Sequence, residues 1–110
     1  MGKHEMREPT FLVLSALAGG PMHGYALIAE TDSLSAGRLK LRPGTLYAVL
    51  DRLREENLIE ISGEEIVDGR ARRYYAITEP GAERLADEAA RLEANARQAL
   101  HKLKLRGMTA

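Results

Sequence analysis

The chain has 110 residues, the size of one small domain with a limited core. Its 16 Lys and Arg residues balance 16 Asp and Glu residues, so no whole-molecule field draws it to nucleic acid or membrane, and any electrostatic function must be local. Cysteine is absent, which excludes disulfides and thiolate chemistry and suits a reducing compartment such as the cytoplasm.

Residues 9–29 carry no charge and are numerous enough to cross a bilayer. "AGGPMHG" (18–24) interrupts them, however, leaving two segments that are each too short to span. A cleaved secretory leader is disfavoured as well, because Glu5, Glu8 and Pro9 fit poorly in one. The first predicted helix covers about 9–18. Its "FLVLSALA" is apolar almost all round, which calls for cover on more than one side: the chain's own core on one, a second subunit on the other. "GGP" ends it, and "MHGYALIAE" starts a second helix with Met22, Tyr25, Ile28 and Ala29 at helical spacing. Residues 31–37 are turn-rich, and "LKL" (39–41) alternates like a very short strand.

The third helix is predicted over about 43–56. Leu46, Val49, Leu50 and Leu53 form its core face, while Thr45, Tyr47 and Ala48 turn elsewhere. Pro43 suits a first helical turn and Gly44 would let another backbone approach, so this turn reads as a docking surface. Asn57 follows, where a left-handed residue often closes a helix. "LIEIS" (58–62) and "RRYYAI" (72–77) are predicted strands joined through "GEEIVDGRA", with Asp68-Gly69 as the turn signal. Of Tyr74 and Tyr75, adjacent on a strand, one should be core and the other partly exposed. Thr78 is a good N-cap for a long alanine-rich helix over 82–105, about 36 Å at 1.5 Å per residue. Ala82, Leu85, Ala89, Leu92, Ala96, Ala99 and Leu103 form a heptad seam along it, and the partner expected for that seam is another copy of the chain across a two-fold axis.

The predicted fold is therefore mainly α with a small β-hairpin: a winged helix-turn-helix over residues 1–79 and a C-terminal dimerisation helix over 80–110. The third helix would bury its leucines and offer its N-terminal turn to DNA, where free amides and the positive end of the helix dipole suit a phosphate. Arg38, Lys40, Arg42, Arg52 and Arg54 surround that helix, and Arg70, Arg72 and Arg73 lie on the second limb of the hairpin, eight of the 16 basic residues in all. Asp51, Glu55, Glu56, Glu60, Glu64, Glu65 and Asp68 share the window. They are expected on other faces, with "GEE" on one limb of the hairpin and "GRARR" on the other. Any single arginine is ordinary solvated surface; it is their convergence that would argue for DNA.

Four ordered blocks, "HGYALI" (23–28), "LRPGTLYAVLDRL" (41–53), "NLIE" (57–60) and "GRARRYYAITEPG" (69–81), together resemble the PadR family of bacterial transcriptional regulators, in the short form with a single C-terminal helix. The resemblance implies a homodimer on a pseudo-palindromic operator, acting as a repressor, with Tyr25, Thr45 and Tyr47 at DNA-contact positions and Arg70, Arg72 and Arg73 in the wing; Lys40, Arg42 and Ala48, beside them at the start of the third helix, complete the expected DNA-binding set. It also implies that the last helix, through Leu85, Ala89, Leu92, Ala96, Ala99 and Leu103, packs against Phe11 and Leu14 of the partner's first helix. Several positions depart from the pattern. Arg42 replaces a capping serine, Ala48 a proline, Asn57 a glycine, and Asp51 stands where relatives are often basic. Release of DNA by a small molecule at the dimer interface is implied too. With no tryptophan and a single phenylalanine, Phe11, such an effector would contact Met, Leu and Tyr side chains.

Catalysis finds no support in the sequence. His4, His23 and His101 are far apart, "HEMRE" lacks the second histidine of a zinc-binding helix, and no phosphate loop is present, so neither cofactor nor metal is expected. His23 reads as a helix-start residue. The competing reading is a winged-helix module that binds another protein without specific DNA binding.

Overall fold

Prolines mark where three of the helices begin. Pro9, Pro43 and Pro80 each stand in a first turn, where no intrahelical bond needs their missing N–H. The computed structural model describes residues 6–107. Its elements are α1 (Glu8–Ala18), β1 (Met22–His23), α2 (Gly24–Leu34), α3 (Pro43–Glu55), β2 (Ile59–Val67), β3 (Arg70–Ile77) and α4 (Glu79–Leu105). This is a winged helix-turn-helix followed by a long C-terminal helix. His4 lies outside the described residues, among which no helix is long and apolar enough to cross a membrane.

The antiparallel sheet has the order β1-β3-β2, one strand more than the expected hairpin. The added strand pairs Met22 with Tyr75 and His23 with Tyr74. Residues 39–41, by contrast, form no strand. Their alternation is real, Leu41 being buried and Lys40 exposed, but both sides of β3 are already occupied and no other edge takes their backbone. Asp68 and Gly69 have φ values of 52° and 76°, the left-handed pair that a two-residue hairpin turn needs. The strands therefore run right up to the turn, well beyond the expected 58–62 and 72–77. A bulge between Ile61 and Gly63 interrupts the register of β2.

The core corrects two further expectations. Leu12, Val13, Leu14, Ala16 and Leu17 of α1 are all buried within this one chain, against α2, β3 and α4. Leu14, expected at a subunit contact, is 0% exposed and belongs to the interior, whereas Phe11 is half-buried. In α2 the buried face is Gly24, Leu27 and Thr31, and Tyr25 and Ala29 point outward. The face counted from Met22 was out of phase because Met22 belongs to a strand. Thr31 satisfies its buried hydroxyl by donating to the Leu27 carbonyl at 2.9 Å.

Helix α3 buries Leu46, Val49, Leu50 and Leu53, as its spacing requires. Asn57 takes φ 62°, and the Leu58 N–H returns to the Leu53 carbonyl at 2.9 Å. Thr78 caps α4: its hydroxyl accepts from the Gly81 N–H at 3.1 Å and donates to the Asn57 carbonyl at 2.8 Å. Tyr75 is buried and Tyr74 half-buried. The start of α4 belongs to the core, with Gly81 buried and Leu85 packed against it.

Candidate nucleic-acid interface

Local geometry at the start of α3 leaves its N-terminus open. Arg42 occupies the cap position in an extended conformation and supplies no side-chain cap bond, so the first-turn amides have no side-chain acceptor. Around them Lys40, Arg42, Thr45, Tyr47 and Ala48 are all exposed. Tyr25, on the first turn of α2, is 74% exposed, and Tyr47 is 46% exposed.

Gly24 brings the two helices together here. A Cβ at Gly24 would stand 2.4 Å from the Tyr47 phenol oxygen and 3.1 Å from its Cζ, so only a bare α-carbon admits that ring. Gly44, from which close approach was expected, has open space around it. His23 holds the start of α2 in place: its Nδ1 accepts from the Ala26 N–H at 3.3 Å, and its ring meets Tyr74 edge-on at 5.4 Å.

Between α2, α3 and the β2–β3 wing runs an open groove of about 810 Å³. Tyr25, Tyr47 and Asp51 line it from the helices, and Glu64, Asp68, Arg70, Arg72 and Arg73 from the wing. The structure thus brings Tyr25, Tyr47 and the three wing arginines to one concavity. Lys40, Arg42, Thr45 and Ala48 do not line it; they form the exposed turn beside it.

The acidic and basic residues of the wing lie on separate limbs, β2 and β3, as expected, but not on separate faces. Glu64 lies directly opposite Arg73 and Glu65 opposite Arg72, and opposed residues of an antiparallel pair share a face. Arg73 Nε is 3.9 Å from Glu64 Oε2. The Tyr74 hydroxyl donates to Glu65 at 3.1 Å. An exposed pair of this kind is worth at most about 1 kcal/mol and can be exchanged for a phosphate contact. Arg38 is engaged elsewhere: its guanidinium grips Glu8 at the start of α1 through hydrogen bonds, which hold that carboxyl below its ordinary value of 4.5. Asp51, Glu64 and Asp68 line the groove, although the sequence places them on other faces. Counting outward from the Asp-Gly turn pairs 67 with 70, and hence 64 with 73, which was the available signal.

The sequence model of the Transcriptional regulator PadR-like family matches residues 13–87. The chain belongs to that family. It is similar to the transcriptional regulator Rv3488 of Mycobacterium tuberculosis, with 39% identity over 88 residues that span 80% of this chain and 78% of the relative. Two further curated relatives are longer, and the chain spans 21% and 41% of them. A PadR family transcription regulator from Clostridium difficile shares the fold with a TM-score of 0.72 at 21% identity, covering 88% of this chain and 98% of that one. Bacillus subtilis PadR, solved in complex with operator DNA, matches with a TM-score of 0.65 at 21% identity over 74% of this chain and 47% of that one. Both solved structures speak to fold, and the first third of α4 aside, the family match coincides with the winged-helix core of this PadR-family chain.

Proposed function

We propose that this PadR-family regulator is a cytoplasmic, sequence-specific double-stranded DNA-binding protein, a homodimeric repressor on a pseudo-palindromic operator that leaves DNA when a small molecule enters at the dimer interface. The observation that carries the DNA reading is the convergence of Tyr25, Tyr47, Arg70, Arg72 and Arg73 on one groove beside the uncapped N-terminus of α3. Residues 1–79 serve as the DNA-binding unit. The α3 turn (Lys40, Arg42, Thr45, Tyr47, Ala48) enters the major groove and the wing arginines follow the backbone. Residues 80–110 serve as the dimerisation arm through Leu85, Ala89, Leu92, Ala96, Ala99 and Leu103, with Phe11 on the partner's first helix. Support for the arm is the exposure of Leu92, Leu100 and Leu105, which a lone chain leaves in water.

The test is fluorescence anisotropy on the DNA upstream of the chain's own gene, with unrelated DNA as competitor and several salt concentrations. Tight, competitor-resistant binding with a steep salt slope is expected, and the double variant R72A/R73A should lose it, with a slope shallower by about one for each phosphate contact removed. The acidic lining supplied by Asp51, Glu64 and Asp68 favours one rival, a protein-binding winged helix. Equally weak binding to every DNA, unchanged in R72A/R73A, would support that rival instead.

A further inference from the structure

The outward face of α3 carries an anion where DNA is to be read. With Leu46, Val49, Leu50 and Leu53 buried, the line directly opposite them at helical steps is Gly44, Ala48 and Asp51. The first two project almost nothing. Asp51 is therefore the first side chain along that line with a hydrogen-bonding group, and it lines the same groove as Tyr25 and Tyr47, the latter one turn before it. Its carboxylate is exposed and makes no ion pair or hydrogen bond with the described residues. An ionised carboxylate only accepts. Set against a phosphate, a purine N7, a guanine O6 or a thymine O4, it is repelled; the donors in the major groove are the amino groups of cytosine and adenine. Adenine N6 lies between two acceptors, its own N7 and the O4 of the paired thymine, whereas cytosine N4 has an acceptor, guanine O6, on one side and a C–H on the other.

We infer that Asp51 is a specificity-determining residue that accepts a hydrogen bond from a cytosine N4 amino group in each operator half-site. This assignment rests on the DNA-binding reading above. It gives the anion a second effect, since phosphate repulsion weakens binding in registers that offer no amino group and so lowers affinity for unrelated DNA.

The experiment is selection from a randomised double-stranded DNA pool, followed by sequencing, with the full-length wild type, D51A and D51N, each checked for a wild-type circular dichroism spectrum. Wild type should enrich cytosine at one position of each half-site. D51A should lose about tenfold of that preference, the size of one base contact, while keeping its other positions and binding unrelated DNA more tightly. D51N, whose amide both donates and accepts, should shift the same position toward adenine. A motif in D51A and D51N identical to that of wild type, cytosine included, overturns the assignment and leaves the DNA-binding reading standing. If wild type enriches no sequence at all, the DNA-binding reading falls and the assignment with it.

Discussion

Gly24 and Gly81 look alike in the sequence, each close to the start of a helix, but the structure asks different things of them. A Cβ on Gly81 would stand 2.0 Å from the Leu58 carbonyl oxygen and 2.9 Å from Ile77 Cγ1, atoms of the backbone and core that cannot move aside. G81A should therefore cost about 3 kcal/mol in a urea titration, the upper end of overpacking. A Cβ on Gly24 meets the phenol end of a half-exposed tyrosine, which can swing into water. G24A should lose less than about 1 kcal/mol yet weaken DNA binding, because Tyr47 no longer lies where the groove needs it. Comparable stability losses in the two variants would show that Tyr47 is held as firmly as backbone. Neither role was legible beforehand, since each depends on contact with a segment more than 20 positions away.

Element boundaries were easier to read, because the groups that set them are neighbours in the chain. Pro43, Asn57, Asp68-Gly69 and Thr78 each act within a few residues, and each element begins or ends beside them. The two-residue β1 was not legible; it is too short to show any period and exists only because β3 passes alongside. Helix α4 conceals a further contact at Glu88, which is 8% exposed and receives Arg91 Nη2 at 2.5 Å. The Arg91 hydrogen bond holds its carboxyl below the ordinary 4.5, against the opposing effect of desolvation and with help from the Met6 backbone and the Arg84 charge. A depressed folded value means that the charged form stabilises the fold above the unfolded value, and that this contribution is lost as pH falls through the folded one. On passing from neutral pH to below 4.5, the urea midpoint of E88Q should fall by less than that of wild type. Parallel falls would show that the Glu88 charge contributes nothing.

The whole molecule is elongated, measuring 60 × 32 × 21 Å, and α4 at 27 residues is about 40 Å long. Its first turns belong to the core. From Glu93 to Leu105 every residue except Leu103 is exposed, leaving an arm with apolar residues in water. Under the proposed dimer, L92E should place charge in the seam and give a monomer in analytical ultracentrifugation. A variant that sediments like wild type would place the subunit contact elsewhere. Helix α1 offers that contact less than its composition promised, because Leu14 and its neighbours are already consumed by the chain's own core, with Phe11 left half-buried.

By itself the sequence determined that the winged fold has its helices, though not that α2 starts at Gly24 and runs on to Leu34 through residues expected as turn. It also determined the caps at Asn57 and Thr78, the hairpin turn and the buried face of α3, because proline, asparagine, threonine, glycine and leucine spacing act over one or two turns of chain. Its four motif blocks were sufficient to indicate the family. Only the tertiary structure decided which sides of α1 were covered, which face of α2 points inward, that Met22 and His23 complete the sheet, and that Glu64 shares a face with Arg73. Those outcomes depend on which distant segment arrives at a given surface and in what register. Local chemistry constrains the surfaces available, and packing then selects among them.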